Sequence, residues 1–128
     1  VSRETGQEPM KLVGITVLTS LDEEKLQENL GVSRSLPEQV VALAKLAQTA
    51  GLAGVVSSPQ ESKILRENLG QEFLIITPGI RPQGSQTQDQ LRVLTPREAI
   101  QAGSSYLVVG RPITQAPSPR EALEGLWG

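Results

Sequence analysis

The stretch SYLVVGRPIT (residues 105–114) decides the fold. Residues 106–109 form a continuous apolar run, which is typical of a strand that is buried on both faces, as in a parallel sheet. The run ends at Gly110, and Arg111 follows directly. Such a strand end is either a solvated turn or half of an anion site, and this stretch alone leaves both interpretations open.

Three other runs have the same character, KLVGITVL (11–18), AGVV (53–56) and FLIIT (73–77), and helical patterns separate them. The predicted elements, in chain order, are strand 11–18, helix 22–30, helix 37–50, strand 53–57, helix 59–69, strand 73–77, a long loop 78–94, helix 96–102, strand 105–110 and helix 119–126. Four strand-then-helix units favour parallel strands joined by right-handed crossovers. The pattern fits two architectures, an open doubly wound sheet and part of a closed (β/α)8 barrel, which typically takes about 250 residues.

Three helix starts share one local signature, a hydroxyl residue, a proline and then a glutamate three positions after the hydroxyl. They are Ser58-Pro59-Gln60-Glu61, Thr95-Pro96-Arg97-Glu98 and Ser118-Pro119-Arg120-Glu121. We predict a capping box at each, because the hydroxyl can accept from a helical N–H while the glutamate reaches back.

The composition bounds the function. The 128 residues amount to about one domain and carry a formal charge of −2, so no global basic surface indicates nucleic acid. Neither cysteine nor histidine occurs, which excludes Ser-His triads, Cys-His pairs and histidine metal sites in this chain. All apolar runs are far shorter than the roughly 20 residues of a membrane helix. A cytosolic protein fits these observations.

Candidate ligand-binding residues lie where the strands end, since α/β folds bind ligands at the carboxyl ends of their strands. Those ends read Thr19-Ser20, Ser57-Ser58, Thr77-Pro78-Gly79 and Gly110-Arg111. The Gly110 N–H can donate to an anion, and Arg111 adds a planar fork suited to phosphate. Arg81, in the long loop, is a second phosphate candidate. The carboxylates, Glu61 among them, are expected in first helical turns or on exposed helix faces, so no general acid or base is evident.

Five segments together resemble one enzyme family. They are GITVLTS (14–20), GVVSSPQE (54–61), ITPGIRPQG (76–84), DQLRVLTPREAIQAGSSYLVVGRPIT (89–114) and APSPREAL (116–123). In this order they resemble the bacterial type of orotidine 5'-phosphate decarboxylase, a homodimeric (β/α)8 barrel. That family converts orotidine 5'-monophosphate to uridine 5'-monophosphate and CO2 in pyrimidine biosynthesis, without metal or organic cofactor. The resemblance implies a cytoplasmic protein whose ligand is a small nucleotide, with no nucleic acid or membrane partner.

The resemblance also implies individual roles. It assigns binding of the substrate phosphate to Arg81, Gln90, Gly110 and Arg111, and contact with the pyrimidine to Thr19 and Pro78. The fold it implies is α/β, with parallel strands that correspond to strands five to eight of the barrel and their helices. Residues 1–128 are then a single half-barrel segment, with 1–10 as a polar lead-in from a missing amino-terminal half.

One departure from the family concerns the chemistry. The family's catalytic motif, Asp-x-Lys-x-x-Asp, is absent here, since neither Asp22 nor Asp89 is followed two residues later by lysine. We therefore expect no catalytic residue in this chain and no decarboxylation by the chain alone. An alternative is a non-catalytic nucleotide- or phosphate-binding module that associates with itself or with a complementary half, because a half-barrel leaves two sheet edges and an inner apolar face open.

Overall fold

The computed structural model describes residues 2–82 and 94–127. The strands are β1 (Val13–Ile15), β2 (Gly54–Val56), β3 (Leu74–Thr77) and β4 (Tyr106–Leu107), and the helices are α1 (Ser2–Thr5), α2 (Glu23–Leu30), α3 (Leu36–Thr49), α4 (Ser62–Leu69), α5 (Pro96–Gln101), α6 (Arg111–Thr114) and α7 (Pro119–Glu124), with 3-10 turns at Pro59–Glu61 and Gly125–Trp127. The predicted order of strands and long helices is confirmed. The strands are shorter than the apolar runs that contain them, and the short helices α1 and α6 were not predicted.

The sheet topology distinguishes the two architectures that the pattern left open. The four strands lie in the order β1-β2-β3-β4, and each neighbouring pair is parallel. A doubly wound sheet reverses its strand order at a switch point, whereas a barrel adds each strand beside the previous one. The unbroken sequential order is therefore that of half a (β/α)8 barrel, as predicted.

The helix starts agree with the sequence at one of three predicted capping boxes. At α5, the Thr95 hydroxyl accepts from the Glu98 N–H at 3.3 Å, and the Glu98 carboxylate accepts from the Thr95 N–H at 2.8 Å. At Ser58 the hydroxyl does cap a helical turn that begins with proline, but it accepts from the Gln60 N–H, and the turn is a 3-10 turn that precedes α4. At Ser118 the predicted capping box is wrong, because the side chain makes no capping hydrogen bond.

One face of the sheet is covered by helices. Gly14, Val55 and Ile75 are register partners on the three neighbouring strands β1, β2 and β3. Val55 is 1% exposed and Ile75 is fully buried, and both belong to the cluster that includes Leu65 of α4. The core of the molecule therefore lies between this face and the helical layer.

The opposite face of the sheet has no such cover within the described residues. Register pairing aligns Ile15, Val56, Ile76 and Tyr106 across all four strands, and side chains in one such row share a face. Ile15 and Tyr106 are 65% and 57% exposed. We call this the open face, and it comprises Val13, Ile15, Val56, Leu74, Ile76, Tyr106 and Val108.

Candidate functional site

The carboxyl ends of the strands meet along one edge of the sheet. The Val108 N–H donates to the Thr77 carbonyl at 2.9 Å, so the segments that leave β4 and β3 start as neighbours. The Ser57 N–H donates to the Ile76 carbonyl at 3.0 Å, which places the end of β2 beside β3. We call this edge, with the segments that follow each strand, the carboxyl edge.

The turn after β3 fixes the position of Arg81. Buried Gly79 has a φ of 73°, in the left-handed region that glycine adopts at low cost, and the chain turns there directly after Pro78. Ile80 then forms a parallel bridge with Leu94, and the Arg81 N–H donates to the Leu94 carbonyl at 3.1 Å. The two ends of the long loop are thereby tied together, and the backbone of Arg81 is held beside the sheet.

The Arg81 side chain is buried at this edge. It is 8% exposed, and its Nη1 donates to the Ile80 carbonyl at 2.8 Å. A guanidinium carries five N–H donors in a planar fork. Among the described residues, one of these donors is used by the main chain, and a planar fork of this kind can make a two-point contact with an anion.

Gly110 presents its backbone openly. It caps α6, where its carbonyl accepts from the Ile113 and Thr114 N–H groups at 2.9 and 3.0 Å. The residue is exposed, and a Cβ built on it would meet no atom within 4 Å. An oxygen of a ligand can therefore approach this backbone closely, next to the half-buried Arg111 that begins α6.

The structure brings five of the six residues assigned by the resemblance to the carboxyl edge. Thr19 is buried after β1, Pro78 is half-buried after β3, and Arg81, Gly110 and Arg111 lie as described above. Gln90 lies outside the described residues. Polar and cationic groups that are far apart in the sequence thus share one edge, while the roles assigned to them remain predictions.

A chain of hydroxyl groups lies behind this edge and was missed by the sequence analysis. Thr77 Oγ1 donates to Ser104 Oγ at 3.1 Å, and Ser104 Oγ lies 3.1 Å from Ser62 Oγ. All three residues are buried, so the chain joins the end of β3 to the start of α4 and to the segment before β4. The available signal was the single hydroxyl of Thr77 in an otherwise apolar strand.

Glu61 lies in a first helical turn, as expected, but the sequence did not indicate that it is buried. It ends the 3-10 turn Pro59–Glu61, directly before α4, and it is 6% exposed.

Other site types receive no support from the structure. Among residues 2–82 and 94–127, no group of three or more Asp, Glu, His or Cys side chains could hold a metal ion. In the same part of the chain, no helix is long and apolar enough to cross a membrane. A cavity of about 650 Å³ is lined by Pro82, Thr95, Pro96, Arg97, Glu98, Gln101, Gly125, Leu126 and Trp127. None of the five assigned residues within the described part of the chain lines that cavity.

Comparison with known proteins identifies the family. The model of the Orotidine 5'-phosphate decarboxylase / HUMPS family matches residues 1–126, and the chain belongs to this family. Orotidine 5'-phosphate decarboxylase of Dictyoglomus turgidum is 56% identical over 115 residues, which cover 90% of this chain and 47% of that protein. The enzyme of Mannheimia succiniciproducens is 55% identical over 121 residues, covering 94% of this chain and 51% of that protein. The chain spans about half the length of these curated relatives.

Solved structures agree with the fold. The crystal structure of orotidine 5'-phosphate decarboxylase from Lactobacillus acidophilus matches with a TM-score of 0.78 and 42% identity, over 95% of this chain and 50% of that one. The corresponding enzyme from Pyrococcus horikoshii matches with a TM-score of 0.56 and 27% identity, over 76% and 44%. These neighbours are (β/α)8 barrels, and the four-stranded sheet corresponds to half of such a barrel.

Proposed function

We propose that this chain is the phosphate-binding half of an orotidine 5'-phosphate decarboxylase. It holds orotidine or uridine 5'-monophosphate at the carboxyl edge, through the Gly110 N–H, the guanidinium groups of Arg81 and Arg111, and Gln90. The observation that carries this proposal is the open Gly110 backbone next to Arg111, at the same edge of the sheet as the buried fork of Arg81. The family membership supports the choice of a nucleotide phosphate over other anions.

The part of the reaction that these residues serve is binding and orientation. Loss of CO2 from the pyrimidine leaves a carbanion, which an acid must protonate, and we assign no such acid to this chain. Contacts with a remote phosphate can nonetheless lower the barrier, because binding energy away from the reacting atoms is used to hold the transition state. Thr19 and Pro78 would orient the base relative to that phosphate.

Decarboxylation therefore requires residues that this chain does not supply. The sequence lacks the Asp-x-Lys-x-x-Asp motif that the family resemblance associates with the chemistry. The same observation favours a second candidate, a nucleotide-binding module without catalysis. A cytoplasmic location and the homodimeric assembly of the family are parts of the first proposal.

Calorimetric titration of the pure chain with uridine 5'-monophosphate tests the binding claim. Hydrogen bonds to charged groups contribute about 1.5–3 kcal/mol, so Arg111→Ala should weaken the affinity about tenfold or more. The matched control is Arg120→Ala, because Arg120 is also an arginine near a helix start but is largely exposed and forms an ion pair with Glu124 of its own helix. Equal binding by the parent chain and Arg111→Ala would remove Arg111 from the site.

An activity assay tests the catalytic claim separately. We expect no release of CO2 from orotidine 5'-monophosphate by the pure chain, even at concentrations that saturate binding. Measurable turnover would overturn the proposed inactivity. Binding without turnover fits both candidate functions, and restoration of turnover by an added chain that carries the missing motif would favour the enzyme half over the isolated module.

A further inference from the structure

We propose that the buried hydroxyl groups of Thr77, Ser104 and Ser62, which we call the hydroxyl cluster, position the phosphate site. The cluster holds the end of β4 in one register on β3. It thereby fixes the spacing between Arg81, which follows β3, and the pair Gly110-Arg111, which follows β4. The inference rests on the proposed function for the identity of the ligand, and it adds residues that act through others.

The strand β4 has a shorter backbone ladder than its neighbours. It shares two register partners with β3, whereas β1 with β2 and β2 with β3 share three each. Next to this ladder, the Ser105 N–H donates to the Ile75 carbonyl at 2.7 Å, and the Val108 N–H donates to the Thr77 carbonyl at 2.9 Å. Because the ladder is short, contacts made by side chains contribute a larger share of what keeps β4 in place.

The hydroxyl cluster supplies such contacts. Thr77 ends β3 and is fully buried, and its Oγ1 lies 3.1 Å from Ser104 Oγ and 3.4 Å from the Tyr106 carbonyl oxygen. Ser104 Oγ in turn lies 3.1 Å from Oγ of the fully buried Ser62, which begins α4. A slip of β4 by one residue would separate these groups and leave buried hydroxyls without partners, which is costly. The cluster therefore favours a single register.

The same threonine connects this register to the phosphate site. Its carbonyl accepts from the Val108 N–H where the two segments leave the sheet, one toward Arg81 and the other toward Gly110. A ligand that bridges both segments binds more tightly when they are already in place, because less ordering is needed on binding. The hydroxyl cluster thus acts on affinity although its side chains are buried behind the carboxyl edge.

Hydrogen exchange tests the hold on β4 without any ligand. Thr77→Val keeps nearly the same shape and removes the hydroxyl, so the Val108 N–H should exchange about tenfold faster by local opening. The Ser57 N–H, which donates to the Ile76 carbonyl at 3.0 Å between β2 and β3, should keep its rate in the same sample. Residue-resolved exchange followed by NMR measures both. An unchanged rate at Val108 would overturn the proposal, as would equal acceleration at both amides.

Two further variants support this comparison. Ser104→Ala breaks the same contact from the other side and should also accelerate exchange at Val108, which keeps the test decisive if Thr77→Val does not fold. The matched control is Thr16→Val, because the Thr16 hydroxyl also joins neighbouring strands by donating to the Val56 carbonyl at 2.9 Å. This control lies between β1 and β2 and should leave the exchange of Val108 unchanged. Acceleration at Val108 by Thr16→Val would show that the effect is not specific to the hydroxyl cluster.

Calorimetry with uridine 5'-monophosphate tests the effect on the site. Thr77→Val should weaken the affinity about three- to tenfold, the range of one buried hydrogen bond, and Thr77→Ser should restore it because the hydroxyl returns. A role in packing alone predicts the reverse order, since serine lacks the methyl group. That reverse order, or equal affinity of Thr77→Val and the parent chain, would overturn the positioning role. No binding by the parent chain would instead overturn the proposed function, and exchange at Val108 would still decide whether the hydroxyl cluster holds β4.

Discussion

The two ends of the sheet use arginine in opposite ways. At the amino end, the Arg66 guanidinium donates hydrogen bonds to several oxygen atoms of the protein itself. Burial lowers the pKa of this guanidinium from its usual value. It donates through Nε to the Gly103 carbonyl at 2.7 Å, through Nη1 to the carbonyls of Gly70, Gln71 and Phe73, and through Nη2 to Ser105 Oγ at 2.6 Å. At the carboxyl edge, the Arg81 side chain donates to one carbonyl among the described residues, that of Ile80. The amino end thus satisfies the donors of Arg66 within the fold, whereas we propose that the donors at the carboxyl edge serve a ligand, since barrels bind ligands at that face.

The two ends of the sheet also differ in the space around their glycines. Substitution of glycine by alanine should therefore affect stability at the amino end and ligand binding at the carboxyl edge. Gly54 begins β2 at the amino end, and a Cβ there would overlap the carbonyl oxygen and Cβ of Leu74 on β3. Because backbone must move to accept it, Gly54→Ala should lower the free energy of unfolding by about 3 kcal/mol or prevent folding. Denaturant titration followed by circular dichroism measures this. Gly125→Ala is the control, since a Cβ at Gly125 meets no atom within 4 Å. Equal stability of both variants would contradict the close approach of β2 and β3.

The second largest effect should come from Arg66. It links the end of α4 to the segments before β3 and β4, so Arg66→Ala leaves several carbonyl groups without their donor. We expect a loss of about 2–3 kcal/mol in the free energy of unfolding, since hydrogen bonds to charged groups are the stronger ones. Arg120→Ala removes an exposed pair with Glu124 and should change stability by less than about 1 kcal/mol. A similar small change at both positions would show that the Arg66 contacts add little.

A substitution at the carboxyl edge should change the affinity for the nucleotide and leave the stability of the fold unchanged. A Cβ at Gly110 meets no atom within 4 Å, so Gly110→Ala should keep the fold as judged by circular dichroism. The added methyl group would stand where a phosphate oxygen approaches the backbone, so the affinity for uridine 5'-monophosphate should fall about tenfold. Calorimetry compares the parent chain with this variant. Unchanged affinity would show that no ligand uses this backbone, whereas an unfolded variant would contradict the open space at Gly110.

The smallest effect concerns the capping box at α5. The backbone N–H of Thr95, and then its hydroxyl, hold the pKa of the Glu98 carboxyl below its usual value. A carboxyl group whose pKa is lower in the folded state stabilises the fold above its unfolded pKa of about 4.3, and this contribution is lost as the pH falls through the folded pKa. Glu98→Gln should therefore lower the melting temperature slightly at pH 7 and not at all near pH 2. A difference that grows on acidification would refute the charged cap. Glu124→Gln, on an exposed helix face, serves as the control.

Much of the fold could be predicted because it depends on local pattern. The apolar runs located all four strands, and the Thr95 signature started α5 where the structure has it. The same signature located helical turns at Pro59 and Pro119, but at Ser58 the hydroxyl accepts from Gln60 instead, and at Ser118 the side chain makes no capping hydrogen bond. The short helix α6 was missed because its four residues give no period to detect.

The candidate site, like the fold, has features that follow from local sequence and features that depend on contacts between distant segments. The sequence supplied the residues at the strand ends and, through the family resemblance, their expected roles. It could not place Glu61 in the interior or link Thr77 to Ser104, because these outcomes depend on contacts between distant segments.

The sequence by itself thus determined the parallel α/β pattern, the family and the residue types at the carboxyl edge. Only the tertiary structure decided that the strands follow one another without reversal and which face of the sheet carries the core of the described residues. The physical reason is that a nearly continuous apolar strand gives no alternation to distinguish its two faces. Whether a face is covered depends on where helices far along the chain come to pack.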